Sequence, residues 1–308
     1  MRALVVGYGS IGARHTRILE EDGHDVGVVS RRPVDVSRRY GALSQAIREH
    51  HPEYVVIANR TEEHRRTVKE LVTCGFEGVL LVEKPLFNQP GSFPPNGFSA
   101  CYVAYNLRFH PGVQHLRQRL RGERVLSVQA YVGHYLPLWR PNRDYRTTYS
   151  ARKEEGGGVL RDLSHELDYL NWILGGWKQA EARGGHLSSL EINTEDAVGI
   201  LASFEKCPVA TVHLNYLDRV GRRSVLVNTD ARTLELNLTE GYIQEDGVRT
   251  LFEVGRDDTY RAQHAAILAG GGDACTAEEA LDVLDLVAEV ESSLRPLSLS
   301  APAPIPSR

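Results

Sequence analysis

One short run constrains the chain more than any other: Gly7-Tyr8-Gly9-Ser10-Ile11-Gly12, set between an apolar segment and an amphipathic one. Ala3 to Val6 reads as a buried strand. Ser10 to Asp22 reads as a helix with Gly23 at its C′ position. A strand that turns into a helix over three glycines has a specific physical use. The first glycine permits a tight turn, the second lets the backbone approach a pyrophosphate, and the third lets helix and strand pack closely. Free N–H groups and the dipole at the helix start then favour the phosphate charge. Gly7 to Gly12 is therefore the expected dinucleotide-binding turn. A glycine-rich turn without a ligand is the plainer alternative, and the flanking strand and helix weigh against it.

The same alternation of short apolar runs and amphipathic segments continues for about a hundred residues, the pattern of a parallel sheet wrapped by crossover helices. Strands are predicted at Val26–Ser30, Tyr54–Ala58, Val79–Val82 and Cys101–Tyr105. Thr61 is placed to cap a helix, with Glu62 and Glu63 in its first turn and Gly75 at its end. The run from Phe87 to Phe98 is too rich in Pro and Gly for a helix. Beyond Pro111 the pattern changes. A helix over Gly112–Arg121 leads to a strand over Val125–Val132, an irregular Arg- and Tyr-rich stretch from His134 to Gly158, and a helix over Val159–Leu174. From Glu181 to about Val254 strands follow one another through short turns, which predicts an antiparallel sheet. Two helices close the chain, the last opened by a capping box, Thr276 to Glu279. The expected division is a doubly wound α/β Rossmann domain over 1–110, an α+β domain with an open, mainly antiparallel sheet over 111–300, and a disordered tail over 301–308.

Composition removes several functions. The chain of 308 residues carries a formal net charge of −4, which argues against nucleic acid or an anionic membrane as the principal partner. No apolar run is long enough to span a bilayer. The four cysteines, Cys74, Cys101, Cys207 and Cys275, are widely separated and suit neither a zinc site nor a disulfide framework. The first residues run directly into a strand and the glycine turn, leaving no room for a signal peptide. A cytoplasmic protein is expected.

The end of the second strand selects between nicotinamide cofactors. An acidic residue there would bind a ribose 2′-hydroxyl and repel a 2′-phosphate. Here the strand ends Val29-Ser30-Arg31-Arg32. A hydroxyl and guanidinium groups suit the phosphate, so NADP is expected in preference to NAD, with NAD still possible. The alternative is two solvated arginines on a loop.

Glu83-Lys84-Pro85 follows the strand Val79–Val82, and ligands of open parallel sheets bind just beyond the carboxyl ends of the strands. A lysine there, beside a nicotinamide, can exchange a proton with a substrate hydroxyl or carbonyl while hydride moves at the same carbon. Farther on, Leu160, Leu163, Leu167, Leu170 and Leu174 form one stripe of the helix Val159–Leu174. Asp162, His165 and Tyr169 fall roughly opposite. His165 can share proton transfer with Lys84, and Asp162 can orient or balance either group. Trp172 near the same face points to a helix covered on both sides. With no third ligand apparent, a metal site is not expected.

The glycine turn, Asn59-Arg-Thr61-Glu-Glu-His64, Glu83-Lys84-Pro85 and the Gly156–Asp168 segment together resemble the glucose–fructose oxidoreductase, inositol dehydrogenase and MocA (Gfo/Idh/MocA) family over nearly the whole chain. The resemblance implies a Rossmann domain, a second domain with an open antiparallel sheet, and homodimers or homotetramers formed through that sheet. It implies that Ala58, Asn59, Thr61, His64, Glu83 and Lys84 contact or frame the cofactor, Lys84 serving catalysis as well, and that Trp139 and Arg140 reach the cofactor. One departure stands out. The family pattern separates Asp from His by four residues, and here Asp162 and His165 are three apart, so either the pair sits in altered register or Glu166 takes part.

Asn106 and Arg108, at the end of the last strand of the first domain, and Arg143, Tyr145, Arg146 and Tyr149, in the irregular stretch, are expected to bind substrate together with Lys84 and His165. Arginines interleaved with aromatic rings suit an anionic sugar, whether nucleotide-linked, phosphorylated or a sugar acid. An ordinary Arg-rich surface loop paired with Asp144, Glu154 and Glu155 is the alternative. The Pro/Gly stretch after Lys84 replaces a helix that many relatives have. His15 and His24, flanking the first helix, read as structural. The function that fits best is an NAD(P)-dependent oxidoreductase acting at the CH–OH or C=O of a sugar or cyclitol. Two other readings remain: a silent dinucleotide-binding regulator of the same fold, and a glycosidase that oxidises transiently and keeps its cofactor.

Overall fold

The computed structural model describes residues 1–140 and 142–294. The expected tail over 301–308, and the end of the second domain at 300, lie outside the described residues. In chain order the elements begin β1 (Arg2–Val6), α1 (Ser10–Glu21), β2 (Asp25–Val29), β3 (Arg39–Tyr40), α2 (Leu43–His50), β4 (Tyr54–Ile57), α3 (Thr61–Thr73), β5 (Val79–Val82) and β6 (Ala100–Val103). They continue with α4 (Pro111–Arg119), β7 (Val125–Gly133), α5 (Val159–Asp162), α6 (His165–Leu174), β8 (Trp177–Gly185), β9 (Ala197–Phe204) and β10 (Cys207–Asn215). The last are β11 (Arg222–Thr229), β12 (Thr233–Asn237), β13 (Tyr242–Glu245), β14 (Val248–Leu251), α7 (Asp258–Leu268), β15 (Cys275–Thr276) and α8 (Ala277–Ser293).

The first sheet runs in the order β15-β6-β5-β4-β1-β2-β3, parallel throughout except for β15. Its strands are buried on both faces: Leu4 and Val6 join one apolar cluster while Ala3 and Val5 join another. That is why they read as unbroken apolar runs. β15 lies antiparallel on β6, so the chain returns to the first sheet after completing the second.

The second sheet runs β14-β13-β12-β11-β7-β10-β9-β8. It is antiparallel apart from the β7–β10 pair, which is parallel because the long segment after β7 carries the chain across before β8 and β9 lead back to β10. One face packs on α6 and α8. The other leaves Leu201 and Val209 exposed.

Two local expectations change. Thr61 is the first helical residue of α3 and makes no capping bond; Arg60 holds the cap position with extended backbone. The predicted helix over Val159–Leu174 is two helices, because the chain breaks at Leu163 and Ser164. The capping box of the last helix forms as read, with Thr276 Oγ1 accepting from the Glu279 N–H and Glu279 accepting from the Thr276 N–H.

Candidate active site

The glycine turn has the shape a pyrophosphate needs. Gly7 has φ of 99°, and a Cβ there would lie 2.6 Å from Asn59 backbone; a Cβ at Gly12 would lie 2.1 Å from the Gly7 carbonyl oxygen. Neither position tolerates a side chain. Nothing lies within 4 Å of a Cβ at Gly9, so that face of the turn is open to an approaching group. Gly9 caps α1 without a side-chain bond and no acidic residue sits in the first turn, which leaves the first N–H groups and the helix dipole free for an anion. Tyr8, Ser10 and Ile11 line the turn, none of them fully buried. The fit to a dinucleotide is good on these grounds.

At the end of β2 the Ser30 hydroxyl donates to the Arg32 carbonyl at 2.8 Å and accepts from the Arg32 N–H, so it is spent within its own loop. Arg31 reaches Glu63 at 3.3 Å with most of its side chain in solvent, and Arg32 is exposed. Across the turn Ala58 is buried, and the Asn59 amide donates to Thr67 Oγ1 at 2.8 Å. Thr61 is half-buried at the start of α3. His64 is enclosed, one ring nitrogen facing the carbonyls of Pro85 and Leu86 and the other that of Asn59. Burial pushes its pKa down. His64 thereby fastens the loop after Lys84 to α3, and frames the site without offering a free polar atom.

Lys84 reaches from the end of β5 to the second domain. Its Nζ donates to the Asp162 carbonyl at 2.7 Å and approaches that of Arg161 at 3.5 Å. Those carbonyls end the short helix α5 and have no partner within it. The break at Leu163–Ser164 is thus what makes a seat for the amine. Burial pulls the Lys84 pKa down, while the charges of Asp162 and Glu83 hold it up.

His165 starts α6 just past the break. Its ring packs edge-on against Tyr105, centroids 5.7 Å apart, and its buried Nδ1 has no partner among the described residues. Burial first, then the charges of Lys84 and Arg223, hold it well below the usual histidine range, so it is a neutral imidazole at neutral pH. The Asp162 carboxylate turns the other way and accepts from the Tyr216 hydroxyl at 2.6 Å. Glu166 is fully buried, 2.8 Å from the Arg223 guanidinium and 3.4 Å from the Tyr169 hydroxyl. Asp162, His165 and Tyr169 therefore do not share one continuous helix face.

The irregular stretch divides in two. Trp139 packs edge-on against Tyr216, centroids 5.3 Å apart, and the Arg140 guanidinium stands over the Tyr149 ring, whose hydroxyl the Asp162 charge raises well above the usual value. These residues converge on Asp162. Farther out, Arg146 is held in a fork by Asp144 and also meets Glu191, Tyr145 accepts from the Glu191 N–H, and Arg143 is exposed. That part follows the surface-loop alternative.

Two expected substrate residues lie elsewhere. Arg108 is 1% exposed and pairs with Asp168 at 2.7 Å and Glu279 at 2.9 Å, while Asn106 donates to Thr259 Oγ1 at 2.7 Å. The 3-10 turn after β6 directs both side chains into the interior, towards α6, α7 and α8. Three residues of the site or its surroundings were not singled out from sequence: Tyr216, Arg223 and His264. Each sits more than fifty residues from its partner, so no spacing signals it.

Residues 113–244 match the sequence model of the GFO/IDH/MocA C-terminal domain. No curated protein matches the sequence. Among solved structures, GenD2 from gentamicin A biosynthesis, in complex with NAD, is 19% identical with a TM-score of 0.77, over 95% of this chain and 93% of that one. The UDP-N-acetylglucosamine 3-dehydrogenase GnnA from Acidithiobacillus ferrooxidans is 16% identical with a TM-score of 0.76, over 96% and 97%. The WlbA dehydrogenase from Bordetella pertussis, in complex with NADH and UDP-GlcNAcA, is 18% identical with a TM-score of 0.76, over 95% of each. At such identities the likeness is one of fold. Residues 113–244 thus match the GFO/IDH/MocA C-terminal domain, and the chain as a whole shares the two-domain fold of these solved structures.

Proposed function

We propose that the protein is a nicotinamide-dependent oxidoreductase that moves hydride to or from a sugar hydroxyl or carbonyl carbon. The observation that carries the reading is the seat of Lys84: an amine at the carboxyl edge of a dinucleotide-type sheet, gripped by carbonyls of the opposite domain three and four residues before His165. A bound nicotinamide supplies the hydride exchange. The chain supplies the rest. The open N-terminus of α1 holds the pyrophosphate, and Lys84, with neutral His165 beside it, shares the transfer of the one proton of the reacting hydroxyl. Asp162, tied to Tyr216, fixes the wall against which Lys84 is set.

Of Ser30, Arg31 and Arg32, it is Arg32, an exposed cation at the end of β2, that favours NADPH over NADH. Arg140, Trp139 and Tyr149 offer a guanidinium and ring faces to an anionic or nucleotide-linked sugar, and the names of GnnA and of the WlbA complex carry UDP-linked sugars. All four cysteines are free thiols, which suits the reducing cytoplasm. No described helix is long and apolar enough to cross a membrane. The outward Leu201 and Val209 support association of copies through the second sheet.

The test is nicotinamide absorbance with NADPH, NADH and their oxidised forms against a panel of UDP-hexoses, hexuronic acids and sugar phosphates. One class should turn over. Lys84→Met should keep dinucleotide affinity and lose roughly 10²–10⁴-fold in turnover. A wild-type protein that binds dinucleotide and turns over nothing in the panel overturns the reading.

A further inference from the structure

Four buried side chains stand in one unbroken hydrogen-bonded row behind the glycine turn. Glu83 Oε1 meets His15 Nε2 at 2.8 Å, His15 Nδ1 meets His264 Nε2 at 2.8 Å, and His264 Nδ1 meets the Tyr54 hydroxyl at 2.9 Å. The exposures of Glu83, His15, His264 and Tyr54 are 9%, 0%, 1% and 0%. The four come from separate elements: the end of β5, α1, α7 and β4. The other oxygen of Glu83 accepts from the Lys84 backbone N–H at 3.1 Å.

The donor inventory gives the row a direction. A carboxylate only accepts, so His15 must present Nε2–H to Glu83. Neutral His15 then accepts at Nδ1, from the Nε2–H of His264, whose Nδ1 accepts in turn from the Tyr54 O–H. Every polar atom in the row is satisfied with both imidazoles neutral. A proton added to either imidazole puts N–H on His264 Nδ1, facing the Tyr54 oxygen, and the Tyr54 hydroxyl proton loses its only acceptor among the described residues. Burial holds His264 well below the usual histidine range and Tyr54 well above the usual phenol range, both in keeping with that neutral state.

We propose that this row is a one-way relay that keeps Glu83 as a fixed carboxylate beside Lys84, making His15 and His264 positioning residues for the proton-transferring lysine. The proposal rests on the role given to Lys84 above. It also assigns a purpose to the return of the chain: α7 follows the second sheet yet delivers His264 to the turn-bearing helix of the first domain. The groups around the row are few. Tyr260 stands edge-on to His15 with Arg14 over its ring, and His264 borders a surface cleft lined also by Asp22, His24 and Arg261. Lys84 itself feels Asp162, Glu83, Arg223 and Glu166.

Competitive acetylation of Lys84 with acetic anhydride across pH, read by peptide mass, needs no substrate. It therefore stands apart from the outcome of the turnover assay. Loss of the donor to a buried carboxylate favours its protonation and withdraws a negative charge from Lys84. His15→Phe and Glu83→Gln should each lower the labelling midpoint by roughly half a pH unit or more, and the double variant should go no lower than either. His264→Phe should move it in the same direction. An unchanged midpoint in His15→Phe, or additive shifts in the double, overturns the relay. Should a variant not fold, long-range ¹⁵N–¹H spectra of the histidine-labelled wild-type chain decide: both rings must be neutral Nε2–H tautomers at neutral pH, and an imidazolium or an Nδ1–H form at either overturns it.

Discussion

At the scale of single residues, charge at the end of β2 carries a prediction of its own. Arg32 is exposed and its guanidinium has no partner among the described residues, whereas Arg31 is drawn towards Glu63. A 2′-phosphate held by Arg32 would gain a charge-assisted bond. Arg32→Asp replaces that bond with repulsion, so NADPH affinity should fall roughly ten- to hundredfold while NADH affinity changes little. Titration of both dinucleotides by fluorescence checks it, and an unchanged ratio assigns Arg32 to solvent. Residues of this kind are legible from sequence because a local motif fixes their place: the glycine turn sets the end of β1, and the strand after it sets Arg32. Lys84 is legible for the same reason, sitting two residues past the buried strand Val79–Val82. Arg108 shows the limit. Its neighbourhood in sequence places it by the cleft, but Asp168, sixty residues away, takes its side chain.

At the scale of elements, the break between α5 and α6 matters most. The leucine spacing over Val159–Leu174 survives the break, because periodicity reports which face is buried and not whether each backbone bond is made. The stripe is thus read correctly as a core face while the interruption at Leu163 and Ser164 stays invisible. The consequences are chemical. Two carbonyls at the end of α5 are left to accept Lys84, and the Asp162 carboxylate swings to Tyr216. The three-residue spacing of Asp162 and His165 belongs to this geometry: they flank a break and face different neighbours. Tyr216→Phe removes a donor from a carboxylate that is 7% exposed. It should cost about 1–3 kcal/mol of stability, read in urea unfolding, and turnover should fall with the wall behind Lys84 loosened. Full stability together with full turnover in this variant would mean that Asp162 finds another donor.

Across the whole molecule, the two sheets are joined by side chains that no local pattern announces. Arg108, after the last parallel strand, pairs with Asp168 of α6 and Glu279 of α8 and stands 5.1 Å from the Trp172 ring centre. Arg108→Met leaves Asp168, 1% exposed, without its counter-charge. Removing one partner of a buried pair costs about 3–5 kcal/mol. The penalty should also depend on pH. Burial already raises the Asp168 pKa against the pull of Arg108, and without that guanidinium it rises further. Between the unfolded carboxyl value and the raised folded one, the native variant binds more protons than the unfolded chain, so its stability falls as pH rises through that window. The deficit relative to wild type is therefore largest at neutral pH and shrinks on acidification. Pairing Arg108→Met with Asp168→Leu removes the stranded charge and should recover most of the loss, since apolar replacement of a whole buried pair is often neutral. Urea titrations of the single and double variants at neutral and mildly acidic pH separate the causes: a deficit equal at both pH values and unrecovered in the double belongs to lost packing around Trp172, and a deficit that follows pH and vanishes in the double belongs to the charge.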